Sequence, residues 1–187
     1  MKIVNAMVGT LLLAAAPLAA QAEDMSYSYV DLGWLSTDID NGPTADGFGL
    51  RGSIGFAENF FAFAEYSNQQ VSGVDVDQYA VGLGGRFGIS ENVDLVGRAG
   101  YIKADASSGG FSIDDDGYLV SAGIRGRVAD GFELEGHVIH RDFGGGSDDT
   151  SVAVGGRYFF TENFAVGAEY EMADDANTIL AGVRFAF

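Results

Sequence analysis

The sequence predicts an all-β chain, a transmembrane antiparallel up-and-down β-barrel of ten strands, with eight as the alternative. Three observations carry that prediction. A short polar turn recurs along the chain, as Phe56-Ala-Glu-Asn-Phe60, Ser90-Glu-Asn-Val93, Ala129-Asp-Gly-Phe132 and Phe160-Thr-Glu-Asn-Phe164. A tight turn repeated in this way marks a meander of antiparallel hairpins. Between the turns, apolar residues alternate with polar or small ones, the period of a strand with one apolar face. Aromatic residues collect on that apolar face at two levels, as the belts of a membrane barrel do.

The chain opens with Lys2, an apolar Ala-rich run over 8–20, and Ala20-Gln21-Ala22. That is the layout of a secretory signal peptide with a small-x-small cleavage site, so 1–22 is read as the leader and 23–187 as the barrel domain. The apolar run is short of the roughly 20 residues that a membrane-spanning helix needs. Losing Lys2 takes the formal charge from −17 to −18. There is no cysteine, which excludes a disulfide framework and thiolate metal sites. The acidic balance excludes nucleic acid as a partner, because phosphate binding needs clustered Lys and Arg. No motif asks for a cofactor.

The first strand, about 27–36, places Val30, Leu32 and Trp34 on one face and Asp31 and Gly33 on the other. The second, about 47–56, places Phe48, Leu50, Ile54 and Phe56 opposite Gly49, Arg51, Ser53 and Gly55. The last, 178–187, alternates Ile179, Ala181, Val183, Phe185 and Phe187 with Leu180, Gly182, Arg184 and Ala186. Five longer connections are expected over 37–46, 70–77, 105–117, 144–150 and 173–177. Short turns at one end and longer loops at the other correspond to periplasmic turns and extracellular loops, with both termini on the periplasmic side.

In a bilayer such a sheet must close on itself and turn its apolar face outward, since unpaired strand edges cannot be hydrated there. The polar residues then face inward. Arg86, Arg125, Arg157 and Arg184 fall at one offset before the turns; Glu65, Arg98, His137 and Glu169 fall at a matching offset after them. Folding each hairpin about its turn sets Arg51 opposite Glu65, Arg125 opposite Glu135 and Arg127 opposite Glu133, with Arg157 reaching diagonally toward Glu169. Such charges hold a packed polar interior together, because a buried charge needs a partner. As a selectivity ring in a pore they would instead line a path, but a barrel this narrow is ordinarily filled by side chains.

Phe56, Phe60, Phe87, Phe132, Phe160, Phe164 and Phe187 form the belt near the turns. Trp34, Tyr66, Tyr79, Tyr101, Tyr118 and Tyr170 form the one near the loops. The chain ends in Arg184-Phe-Ala-Phe187. With Phe185 and the terminal aromatic Phe187, this resembles the C-terminal assembly signal of Gram-negative outer-membrane proteins. Together with the leader and the meander, the whole of 23–187 resembles a small OmpA/OmpX-type barrel domain. The segments Tyr27-Ser-Tyr-Val-Asp-Leu-Gly-Trp34 and Asp46-Gly-Phe-Gly-Leu-Arg-Gly-Ser53 are similar to a subgroup of small acidic barrels regulated by a diffusible signal. The resemblance implies export to the outer membrane, contact with its lipids and lipopolysaccharide, and insertion by the barrel-assembly machinery. The extra hairpin departs from the eight-strand template.

Two places offer other chemistry. In His137-Val-Ile-His140-Arg-Asp142, alternation puts His137 inside and His140 outside, so the pair cannot share a metal from one strand face. His140 and Asp142 share a face at the rim and could act as an acid-base pair. The Asp-x-His order of omptin-type proteases is absent, however, and His140-x-Asp142 lacks the serine of barrel-type lipid A deacylases. A solvated rim histidine is the simpler reading, and the chain is read as a non-enzyme. The loops are acidic, with Asp38, Asp40, Asp75, Asp77, Asp114, Asp115, Asp116, Asp148, Asp149, Asp174 and Asp175. Asp38-Ile-Asp-Asn-Gly42 matches half of a calcium loop, but Gly49 stands where its bidentate Glu belongs. Asp38, Asp40, Asp114, Asp115 and Asp116 are the candidates for weak divalent-cation binding, against a plain solvated acidic rim. The expected role is structural or interactive at the cell surface; a narrow channel lined by the four arginines and a rim hydrolase are the alternatives.

Overall fold

A computed structural model describes residues 25–144 and 148–187. The expected leader at 1–22, with its cleavage before Glu23, lies outside the described residues. Ten strands follow in chain order: β1 (Tyr29–Ile39), β2 (Ala45–Ala57), β3 (Phe60–Val71), β4 (Val74–Ser90), β5 (Val93–Ser108), β6 (Phe111–Ala129), β7 (Phe132–Asp142), β8 (Asp148–Phe159), β9 (Phe164–Met172) and β10 (Ala176–Ala186). Each pairs antiparallel with its chain neighbours, and β1 closes the barrel against β10 from Tyr29↔Ala186 to Ile39↔Ala176. Closure leaves no open wall, as the hydrocarbon phase requires. Ten strands, not eight, make the wall.

The apolar face points out as alternation dictates. Val30, Leu32, Trp34, Phe48, Leu50 and Ile54 are all at least 42% exposed. The phenylalanines of the turn-end belt are exposed, from Phe132 at 36% to Phe87 at 68%. Trp34, Tyr79, Tyr101, Tyr118 and Tyr170 are exposed at the other level. Tyr66 is half-buried between Phe48 and Tyr79 and donates its hydroxyl to Asp77 at 2.6 Å. At the C-terminus, Phe185 pairs with Val30 and Phe164, and the Phe187 N–H donates to the Ser28 carbonyl at 3.0 Å.

Two of the expected long connections are mostly strand. The β3–β4 ladder runs up to Val71↔Val74, and the β5–β6 ladder up to Ser108↔Phe111. Ser72 (φ 51°) with Gly73 (φ 82°), and Gly109 (φ 58°) with Gly110 (φ 91°), supply the two left-handed positions of a type I′ hairpin turn. Acidic composition reads as loop, but these dipeptides keep the ladder paired to its end. On the β7 side, pairing of β6 begins only at Tyr118↔Asp142, so 111–117 stand above the wall on β5 alone.

The interior is not uniformly polar, contrary to the alternation reading. Phe61 and Phe63 of β3 point inward at 3% and 4% exposure, and pack with Met25, Tyr27, Ala80, Val96, Ile102 and Leu119. Glycines on the facing strands make the room. A Cβ on Gly84 would overlap the Phe61 ring, and one on Gly82 would lie 2.7 Å from the Phe63 ring. The small-and-polar face was therefore half polar and half a socket for aromatic rings.

Candidate functional site

Every arginine of the chain projects into the lumen, since Arg51, Arg86, Arg98, Arg125, Arg127, Arg141, Arg157 and Arg184 all fall on inward-facing positions of their strands. They meet Asp31, Glu65, Asp94, Glu133, Glu135, Asp149, Glu169 and Glu171 on the same face. The Cα register places Arg51 opposite Glu65, Arg125 opposite Glu135 and Arg127 opposite Glu133, as the turns dictate. The side chains mostly choose other partners. Arg51 donates to Glu169 at 2.8 Å, across the lumen, while Glu65 accepts from Arg98 at 2.6 Å. Arg125 donates to Glu133 from both Nε (3.0 Å) and Nη2 (2.7 Å), and Arg157 takes Glu135. Of the three facing pairs, only Arg127 keeps its partner, Glu133, at 3.2 Å, while at the β1–β10 seam Arg184 also takes the residue opposite it, Asp31. A guanidinium on a long stem reaches residues diagonal to it or across a narrow lumen, so facing register is a poor guide to its partner.

The network has levels. Near the turns, Glu133 is fully buried between Arg125, Arg127 and Arg157, whose nitrogens lie 2.7, 3.2 and 3.5 Å away. Arg184 grips Asp31 with two bonds of 2.6 Å. Arg86 lies 3.5 Å from Asp94 and donates to the Glu58 carbonyl at 3.0 Å. Mid-depth holds the Arg51–Glu169 and Arg98–Glu65 pairs, with His137 4.0 Å from Glu135. Above them Arg141 and Ser151 both donate to Glu171 at 2.5 Å. Asp31, Asp94, Arg141 and Glu171 are members that hairpin folding did not single out. Each lies on an inward-facing position, which is the signal that would have found them.

The segment before β1 completes the seal. Met25 and Tyr27 are buried inside the turn-end mouth, where the Tyr27 hydroxyl donates to Asp94 at 2.8 Å. The guanidinium carbons of Arg86 and Arg125 lie 5.1 and 4.9 Å from its ring centroid. Arg125 also donates to the Ser26 carbonyl at 2.8 Å. Cation–π contact and charge-assisted hydrogen bonding thus fix this strap under the barrel.

The rim residues do not assemble. The His140 ring nitrogen Nδ1 hydrogen-bonds Thr150 at 2.9 Å, while Asp142 accepts from the Gly144 N–H at 2.8 Å. Among the described residues no group of three His, Asp or Glu converges on a metal position. Asp114 and Asp116 point to one face of β6 and Asp115 to the other, because a strand alternates. Lys103, in β5 before this acidic segment, lies 3.1 Å from Asp105 and 3.5 Å from Asp114. Asp38 lies in β1 opposite Asn177, and the Asp40 N–H donates to the Asp175 carbonyl at 2.9 Å, a paired strand end where a cation loop was considered.

A closed antiparallel barrel with an apolar exterior, two aromatic belts and a charge-paired lumen defines a transmembrane β-barrel. The chain belongs to the outer membrane protein beta-barrel domain family, whose model matches residues 8–187. No curated protein matches it in sequence. Among solved structures it resembles the NanC porin, at 13% identity over 86% of this chain and 100% of that one, with a TM-score of 0.52. The KdgM porin in complex with disordered oligogalacturonate is 15% identical over 86% of this chain and 99% of that one, with a TM-score of 0.50. Ail, the attachment invasion locus protein of Yersinia pestis, is 19% identical over 87% of this chain and 100% of that one, at 0.38. At such identities the likeness bears on the fold alone.

Proposed function

We propose that this chain is a closed, non-enzymatic outer-membrane barrel with a structural or cell-surface interaction role. The observation that carries the reading is the filled lumen. Tyr27, Phe61, Arg125, Glu133 and Arg184 occupy the turn-end half, and the space left at mid-depth is about 50 Å³. Every arginine of that half has a carboxylate within 3.5 Å, with Glu133 shared by three of them, so none is left unpartnered to select a passing ion. The acids outside the lumen lie at the rims, where they meet water, lipopolysaccharide and the divalent ions that bridge carboxylate to phosphate. Export with loss of 1–22 and insertion by the assembly machinery through Phe185 and Phe187 belong to the same reading. A rim hydrolase based on His140 and Asp142 is disfavoured because each is engaged by a different neighbour.

A narrow channel is the second reading, favoured by the superposition on two porins and by the open space in the loop-end half. Arg86, Arg125, Arg157 and Arg184 would line its path. Recording from purified protein in a planar bilayer separates the two. A closed barrel gives no steady conductance steps. Steps that disappear or change size in Arg125→Ala would sink it.

A further inference from the structure

At mid-depth the lumen narrows to a space of about 50 Å³, but its loop-end half holds a cavity of about 290 Å³, at the lower bound of the ~300–1,000 Å³ range of small-molecule pockets. Its wall is of two kinds. Ile102, Leu119 and Ile139, on the adjacent β5, β6 and β7, give an apolar side, each no more than 5% exposed. Opposite them is a hydrogen-bonded group in which Thr37 and Thr178 are 2.8 Å apart and Gln69 donates to Thr37 at 2.9 Å. The guanidiniums of Arg51, Arg98 and Arg141 in the floor are already held at 2.5–2.8 Å by Glu169, Glu65 and Glu171. They offer nothing to an anion.

Asp149 differs from the other carboxylates of this cavity. It shares Arg141 with the closer Glu171, lies 3.7 Å from that guanidinium, and its side chain is 38% exposed. Phe143 lines the same mouth, and an aromatic face attracts a cation. The turn between β9 and β10, whose Ala173 and Ala176 border the same mouth, carries Asp174 and Asp175, while the one cation outside the lumen among the described residues, Lys103, is bound to its own aspartates. Carboxylates around a cleft with low-dielectric walls focus a negative potential into it.

We infer that the loop-end half of the barrel is a blind receptacle for a small organic cation, with Asp149 receiving the ammonium and the Ile102–Ile139 side taking the apolar body. The inference rests on the closed-barrel reading, since an open pore would be a path and not a pocket. It also sets this lumen apart from one that accepts an acidic saccharide: the charge at the mouth repels polyanions.

Benzylamine, benzyl alcohol and benzoate share a ring and differ in charge, so they separate charge recognition from partition into detergent or lipid. With the barrel in nanodiscs, methyl NMR signals of Ile102, Leu119 and Ile139 should shift saturably with benzylamine. Benzyl alcohol should bind about tenfold more weakly, the size of one charge-assisted contact, and benzoate should leave the signals unmoved. Asp149→Asn, at the solvated rim, should remove the preference for the amine. Ala173→Trp, which narrows the mouth, should abolish binding of both ligands. Equal response to all three probes, an unchanged preference in Asp149→Asn, or shifts confined to outward residues such as Val81 would overturn the inference. Steady conductance would sink the closed barrel; a non-conducting barrel with no saturable amine binding would sink only the pocket.

Discussion

Glu133 is the residue on which the turn-end half of the lumen depends most. It is fully buried, and three guanidiniums point at its two oxygens. Glu133→Gln keeps the shape and leaves those cations with one negative charge fewer, in a place where water cannot compensate. Removing one member of a buried ion pair costs about 3–5 kcal/mol. Urea unfolding of the barrel in lipid vesicles should show a loss of that size, whereas Glu162→Gln in an exposed turn should stay within about 0.5 kcal/mol. Gly84 presents the opposite problem, a missing atom that must stay missing. Gly84→Ala sets a methyl against the Phe61 ring, which is 3% exposed and cannot swing away. Overpacking of this kind costs about 1–3 kcal/mol. Because the clash is with one named ring, the double variant Gly84→Ala/Phe61→Leu should be less destabilised than the sum of the two single changes. A coupling of at least about 0.5 kcal/mol in that cycle checks it; strict additivity would mean the methyl strains the backbone instead.

At the scale of elements, β10 is the strand whose end decides closure. Phe185 pairs with β1 on one side and β9 on the other, and the Phe187 N–H reaches the Ser28 carbonyl just outside β1. Deleting Phe187 removes that seam bond and the stacked Phe185–Phe187 pair, whose centroids are 6.4 Å apart. Outer-membrane fractions should then contain less protease-resistant barrel at equal synthesis, and normal insertion would show that the terminal aromatic is not read as a signal. The strands themselves were legible in the sequence wherever one face met lipid, because alternation there is strict: β1, β2 and β10 appear within three residues of where periodicity sets them. Where strands rise above the membrane both faces are polar, alternation disappears, and 105–117 reads as loop. There the Gly109-Gly110 turn, not hydropathy, marks the hairpin.

For the whole molecule, the charge arithmetic is spatial. A formal charge of −17 does not describe the lumen, where eight arginines meet eight carboxylates; among the described residues the acidic excess lies at the two rims. The sequence separated inside from outside correctly because the wall imposes a period of two. It assigned Arg127–Glu133 but not the pairs that leave the facing register, since Arg51–Glu169 joins strands that meet only across the closed lumen. Nor could it separate Gly as polar-face filler from Gly as a socket for Phe61 and Phe63. Both features make the barrel hard to unzip. Its hydrogen-bond ladder has no end from which to fray, and its interior ties β2 to β9, β3 to β5 and β1 to β10 through side chains as well. Detergent at room temperature supplies apolar solvent for the outer face and nothing that competes for the lumen. Unboiled protein should therefore stay closed in a denaturing gel and migrate apart from the boiled form. Glu133→Gln should lower the temperature at which the two bands exchange, because it weakens the lumen without altering the lipid-facing surface. Identical mobility before and after heating would contradict a closed barrel, whatever its charge.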